Sequence, residues 1–334
     1  MILIDAVYVN NSGGLVLLKY LIKSIIQARR PAFFLLDERC RTLQGITKYN
    51  CEFTRGEKGR KRLYSQLDDC IMSVLCFGNA PPPIKLKVNV VTYFHNLLIL
   101  EPSHSVSFKK IFITWLKREF IRWKLKNTDK LIVQTTHGEK LIDKVYRFKG
   151  TVHILPIFDV SFCQSINSNL KVINQKFLYV SDGNSHKNHI RLLEAWKRIH
   201  QNYPNAILHL TVSNNYPELR STILKLTNEG YNIVNLGFIS KDLLNQFYQD
   251  CYYCIYPSLV ESFGLGLIEA ATAGQRIIAS DLDYLHSVVK PSAVFDPYDD
   301  SSIFEVINLA LSDFNLKESK LLVDDKINQL IDLI

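Results

Sequence analysis

Short apolar runs alternate along this chain with stretches whose apolar residues recur every three or four positions, the pattern of strands and helices in turn. In the first half, strand-like runs cover Ile2 to Val9, Ala32 to Leu36, Val88 to Tyr93, Lys130 to Gln134 and Val152 to Leu155. Helices are predicted over Leu15 to Gln27 and Lys61 to Leu75. A further helix is opened by Thr136 and Glu139 at capping-box spacing. The second half repeats the alternation, with strands near Phe177 to Val180, Ile207 to Val212, Ile233 to Leu236, Tyr252 to Tyr256 and Arg276 to Ala279, and helices such as Ile190 to His200 and Leu243 to Asp250. Two βα-alternating halves predict an α/β protein with two doubly wound, Rossmann-like parallel sheets and a ligand cleft at the C-terminal strand ends. The expected domains are residues 1–160, a polar linker at 161–176, a second domain at 177–312 and a helical segment at 313–334.

Basic residues are unevenly spread. Residues 1–165 hold 26 Lys and Arg against 13 Asp and Glu, a net of +13, while residues 166–334 hold 14 against 19, a net of −5. Part of the excess lies between Lys109 and Lys130, where Lys109, Lys110, Lys117, Arg118, Arg122, Lys124 and Lys126 interleave with Phe108, Phe112, Trp115, Leu116, Phe120 and Trp123. Apolar residues every fourth position give an amphipathic helix, and its lysines suit an anionic membrane surface. Packing of the aromatics on their own domain is the competing reading, and the pattern leaves both open. No nucleic-acid-binding motif accompanies the charge, so nucleic acid is not the expected partner.

The seven cysteines are scattered and read as reduced thiols of a cytoplasmic protein. No apolar run is long enough to span a bilayer and no signal peptide is evident, so the expected location is cytoplasmic and peripheral, at the inner face of the cytoplasmic membrane.

The richest segment is Pro257 to Gly274, which follows the strand-like run Cys251 to Tyr256 and reads as a glycine-containing loop and a short helix stopped by Gly274. The first turn of such a helix presents unpaired N–H groups, and Gly264 and Gly266 let an anion approach the main chain. Glu261 before the helix and Glu269 within it can accept hydrogen bonds from sugar hydroxyls. A second loop, Ser181 to His189, offers Lys187 as a compact cation for a diphosphate. The Asn10 to Gly14 loop has paired glycines, Gly13 and Gly14, suited to close approach of an anion or sugar, but not the spacing of a dinucleotide fingerprint.

Together with the turn Gly237-Phe238-Ile239, the run Ala279 to Tyr284 and Phe295-Asp296-Pro297, these segments resemble glycosyltransferase family 4, retaining enzymes of the GT-B fold. Gly13-Gly14 and Tyr93-Phe94-His95-Asn96 resemble the bacterial members that build O-antigen or capsule repeat units in lipopolysaccharide and polysaccharide synthesis. The resemblance implies a hexosyltransferase with a nucleotide diphosphate sugar donor, a UDP- or GDP-sugar, and a lipid-linked saccharide acceptor, with no cofactor and no metal. It implies that Glu269 holds the ribose, that Glu261 lies near the transferred sugar, and that the backbone of Phe263, Gly264 and Leu265 cradles sugar and phosphate. Lys187 matches the diphosphate-binding lysine, and His95 the histidine that reaches the donor sugar, making His95, Glu261 and Lys187 the catalytic candidates. The family arginine shortly before that lysine is replaced by Asp182, and Asn96 stands where many relatives have aspartate.

Other classes fit less well. A glycoside hydrolase uses two carboxylates but needs no anion-binding helix end. A nicotinamide oxidoreductase would carry the glycine fingerprint. A noncatalytic peripheral membrane protein leaves the second-half loops unexplained, whereas a GT-B-fold sugar-nucleotide epimerase would share them.

Overall fold

The computed structural model describes residues 1–10, 12–41, 50–67, 70–101, 108–163, 174–312 and 316–334. The chain divides into one unit of Met1–Asp159 with Asp324–Ile334 and another of Val160–Val323. Most of the expected linker, residues 164–173, lies outside the described residues.

The first unit runs β1 (Ile2–Ala6), α1 (Ser12–Gln27), β2 (Ala32–Asp37), β3 (Cys51–Thr54), α2 (Gly56–Tyr64), β4 (Ser73–Phe77), β5 (Asn89–Tyr93), α3 (Phe108–Lys124), β6 (Lys130–Val133), α4 (Thr136–Tyr146) and β7 (Thr151–Ile154). Its parallel sheet has the order β3-β2-β1-β4-β5-β6-β7. The helix expected over Lys61 to Leu75 is instead the end of α2 followed by the central strand β4, every residue of which is buried. A strand covered on both faces reads as a continuous apolar run without alternation, so period alone does not distinguish it from a buried helix. The helix α4 is capped by Thr135, whose Oγ1 accepts from Gly138 N at 3.1 Å, one residue before the predicted cap.

The second unit runs β8 (Lys176–Tyr179), α5 (His189–Asn202), β9 (Ile207–Leu210), α6 (Pro217–Asn228), β10 (Ile233–Asn235), α7 (Lys241–Asp250), β11 (Tyr253–Tyr256), α8 (Leu265–Thr272), β12 (Arg276–Ser280), α9 (Asp283–His286), β13 (Val289–Lys290), β14 (Ala293–Phe295), α10 (Asp300–Ser312) and β15 (Lys320–Leu321). Its main sheet is parallel in the order β10-β9-β8-β11-β12-β14. Phe177 of β8 stacks on Tyr253 of β11 at 4.6 Å and meets buried Trp196 of α5 edge-on, tying helix to sheet.

The C-terminal segment is shared between the units. Strand β15 pairs antiparallel with β13, and then α11 (Ile327–Leu333) packs in the first unit. There Tyr20 donates to Asp325 at 2.6 Å, Asp325 accepts from Phe158 N, and Arg30 donates to the Ile331 carbonyl. Parallel sheets need crossovers, so the loops following each strand collect at one edge of each sheet. The residues singled out by the sequence lie in or beside those loops.

Candidate functional site

In the second unit, the loop after β8 carries Lys187 and the loop after β11 carries Glu261. Neighbouring strands bring them together, and Lys187 Nζ lies 2.6 Å from Glu261 Oε1 with both side chains largely buried. A one-turn 3-10 helix, Ser185–Lys187, holds the lysine, and His186 O accepts from Leu259 N at 2.8 Å, so one backbone bond joins the two loops. Around the pair lie three tyrosines to which the sequence pattern gives no role of their own, Tyr179 and Tyr256 in strands and Tyr284 after one. Tyr256 hydrogen-bonds to Glu261, and the Tyr179 hydroxyl meets the Lys187 carbonyl at 2.9 Å and Ser258 Oγ at 2.8 Å. Tyr284 donates to the Ser258 carbonyl at 2.7 Å. Burial and the nearby Glu261 charge keep these three phenols protonated, and therefore able to donate.

Helix α8 starts immediately downstream. Gly264 caps it with φ of 77°, the left-handed region where a side chain is strained. A Cβ on Gly266 would lie 3.3 Å from both the Val180 carbonyl oxygen and the Tyr256 ring, so the glycine lets the helix end approach the sheet. In the first turn Leu267 N already donates to the Gly264 carbonyl at 2.9 Å, whereas the helix geometry gives the amides of Leu265 and Gly266 no intrahelical acceptor, and the positive end of the dipole favours an anion. Phe263 is buried. Glu269, one turn into α8, has a different partner: Tyr248 of α7 donates to its Oε2 at 2.6 Å. Burial raises the Glu269 carboxyl, while the Tyr248 hydrogen bond and Lys241 act in the opposite direction.

Asp182 organises its loop. Its carboxylate accepts from Asn184 N and Nδ2 and hydrogen-bonds Tyr216, whose ring covers Gly183 so closely that a Cβ there would come within 2.4 Å of it. His189 is buried, with Nε2 3.1 Å from Ser181 Oγ and its ring against Tyr179.

In the first unit, Gly13 and Gly14 fall inside the first turn of α1 rather than in the predicted loop before it. A Cβ on Gly14 would lie 2.9 Å from His95 Nε2, and the imidazole stacks on Phe77 at 5.5 Å. Desolvation lowers His95 to about 4, so the ring is neutral at ordinary pH.

Along α3, Ile111, Phe112, Trp115, Leu116 and Trp123 are exposed, and Phe112 stacks on Trp115, while Ile121 is buried. Phe120 of the same helix packs against the core of the first unit, whereas Phe112, Trp115 and Trp123 stay largely exposed among the described residues. Two of the expected surface charges are structural: Arg118 donates to the carbonyls of Ile99 and Leu100, and Lys124 is buried. Among the described residues no helix is long and apolar enough to cross a membrane, and no group of three His, Cys, Asp or Glu is placed to hold a metal ion.

Residues 165–320 match the family model described as glycosyl transferases group 1. The serotype-specific mannosyltransferase WbdA of Escherichia coli is 28% identical over 160 residues, 45% of this chain; the match spans only 19% of that relative's length. Over 93% of this chain, the structure superposes on 90% of sucrose-phosphate synthase from Thermosynechococcus elongatus with a TM-score of 0.75 at 17% identity. Anabaena HepE, solved in complex with UDP and glucose, gives 0.67 at 15% identity, covering 94% of this chain and 90% of its own. The lipopolysaccharide outer core galactosyltransferase WaaB gives 0.67 at 12%, covering 100% and 94%. The chain therefore has the GT-B fold, and its second unit is similar in sequence to group 1 glycosyl transferases.

Proposed function

We propose that this protein is a retaining glycosyltransferase that moves a hexose from a UDP- or GDP-sugar to a lipid-linked saccharide, without a metal. The observation that carries the reading is the pairing of Lys187 with Glu261 beside the N-terminus of α8. A diphosphate leaving group gathers negative charge as the sugar–phosphate bond breaks. A lysine and helix amides already in position stabilise that charge without reorganising. Glu261 then faces the sugar, the backbone of Phe263, Gly264 and Leu265 takes sugar and phosphate, and Glu269, oriented by Tyr248, accepts from the ribose hydroxyls. With Asp182 committed to its own loop, Lys187 is the side-chain cation assigned to the diphosphate. In the first unit, His95 lies beside Gly14, with Gly13 in the same first turn of α1, and the family resemblance alone assigns its Nε2–H to a sugar hydroxyl.

Support for the donor class comes from the relatives: HepE was solved with UDP and glucose, and WbdA is a mannosyltransferase. WaaB, an outer core galactosyltransferase, points to the same kind of acceptor, a lipid-borne saccharide. The exposed aromatics of α3, beside Lys109 and Lys117, suit the surface of an anionic membrane in which such an acceptor resides. We assign the protein to the cytoplasmic face on that basis.

Calorimetric titration with UDP- and GDP-sugars in the presence of EDTA tests the reading. One donor should bind and Glu269→Ala should weaken it. Failure of every donor to bind, with or without a divalent cation, would remove the assignment.

A further inference from the structure

His95 is held from an unexpected direction. The loop after β4 places Asn79 in the left-handed region, φ 65°, and buries it. Its Oδ1 accepts from the N–H groups of both His95 and Asn96 at 3.1 Å, and its Nδ2 donates to the Asn96 carbonyl at 2.6 Å. One carboxamide thus makes three hydrogen bonds to two consecutive residues of the loop after β5.

Asn79 is itself anchored. The next four residues are Ala80, Pro81, Pro82 and Pro83, and the prolines have no N–H with which to fix the loop. Side chains bind their carbonyls instead. Arg60 donates to Ala80 O and Pro81 O, each at 2.8 Å, Asn127 to Pro82 O at 2.9 Å and Lys124 to Pro83 O at 2.5 Å. Fully buried Arg60 is in turn fixed by Asp5 of β1 at 2.6 Å, which also accepts from Tyr64 at 2.6 Å. A buried pair with its remaining donors satisfied is rigid.

The imidazole carried by this loop stacks on Phe77 and lies against Gly14, and its Nδ1 is buried with no hydrogen-bond partner among the described residues. An unpaired buried N–H costs more than an unpaired lone pair, so the neutral ring carries its proton on Nε2.

We propose that Asn79 is the positioning residue of His95, and that with the clamp on carbonyls 80–83 it presents the histidine as a fixed, neutral Nε2–H donor. This rests on the glycosyltransferase reading for its catalytic consequence, but not for its structural content. Placement is what the carboxamide supplies, since a neutral donor must already point along the right line when charge shifts in the sugar.

The test uses Asn79→Gly, which keeps the left-handed backbone unstrained and deletes only the carboxamide. In the wild-type protein, imidazole nitrogen shifts by NMR should give the Nε2–H tautomer for His95 with acid-shifted titration. In the variant the titration midpoint should move towards that of a free histidine and the signals should broaden. With donor and acceptor, kcat should fall about 10- to 100-fold, while donor Kd stays within about twofold, because the carboxamide touches no donor group. Unchanged titration, tautomer and kcat in a folded variant would overturn the proposal. An Nδ1–H tautomer in the wild type would overturn the donor assignment. If no donor binds the wild type, the glycosyltransferase reading fails, and the NMR comparison alone still decides whether Asn79 positions His95.

Discussion

Lys187 Nζ and Glu261 Oε1 stand 2.6 Å apart across two loops of the second unit, over the hydroxyls of Tyr179 and Tyr256. Each charge is balanced by the other, so the two substitutions have opposite consequences. Lys187→Met strands a largely buried carboxylate and should lower stability by about 3 kcal/mol. It should also weaken nucleotide-sugar binding by about 100-fold, or about 2.7 kcal/mol. Glu261→Gln frees the lysine for phosphate, so UDP or GDP should bind as tightly as in the wild type, or more so, while transfer collapses. Calorimetry on both variants checks this. Equal weakening of nucleotide binding by both would mean that the pair acts as one structural unit.

Glu269 carries a trade between stability and binding. Burial raises its carboxyl above the ordinary value, with Tyr248 and Lys241 opposing. A raised folded value means that the folded chain holds this proton when the unfolded chain has lost it. Stability from this group is therefore full below the unfolded value and lost as pH rises through the folded one. Glu269→Gln removes the buried charge and should raise the melting temperature at neutral pH. The same change loses a charged acceptor, so donor affinity should fall about tenfold, near 1.4 kcal/mol. Tyr248→Phe should raise the carboxyl further and make donor binding weaken at a higher pH on acidification. A melting temperature that drops for Glu269→Gln would contradict the argument.

Acid should act through two histidines. Burial holds His95 at about 4, while burial and then the Lys187 charge hold His189 at about 3, with Asp182 opposing. Both folded values lie below the roughly 6.5 of a free imidazole. Between those limits the unfolded chain binds protons that the folded chain refuses. The stability they contribute is full above pH about 6.5 and is lost as pH falls, by up to about 1.4 kcal/mol per pH unit for each histidine. Urea midpoints by circular dichroism should drop from pH 7 to pH 5, less steeply for His189→Asn. A midpoint constant over that interval would refute the sign.

The loops of the second unit are legible in the sequence because chemistry and period coincide there. Lys187, Glu261 and Gly264 stand out because charged residues and glycines interrupt apolar strands where a parallel sheet ends. The tyrosines beneath them were missed because Tyr179 and Tyr256 occupy strand positions and look like core until their hydroxyl partners are seen. Strand β4 was hidden for the opposite reason: Val74 to Phe77 is apolar throughout and gives no alternation to read. Asn79 left one faint signal, an asparagine after a glycine and two residues before a run of prolines, a residue type that tolerates the left-handed region. Its grip on His95 spans sixteen residues, and no local pattern encodes that. The return of α11 to the first unit is likewise a tertiary event, fixed by Asp325 and its partners Tyr20 and Phe158.

Helix α3 gives a prediction independent of the donor site. Phe112, Trp115 and Leu116 are 59%, 51% and 47% exposed, too open to contribute much to the core, so polar substitutions there should cost little stability. Lys109 and Lys117 are exposed on the same helix, whereas Arg118 and Lys124 are occupied by backbone carbonyls and are the wrong residues to neutralise. Phe112→Ser with Trp115→Ser should reduce partition to phosphatidylglycerol vesicles by removing the inserting side chains. Lys109→Gln with Lys117→Gln should reduce it by about 1 kcal/mol per charge, an effect that added salt erases in the wild type. Sedimentation with vesicles reads both, and donor Kd measured in parallel should remain at the wild-type value. Vesicle binding that survives both double substitutions would place the contact elsewhere and leave the exposed aromatics for a protein partner.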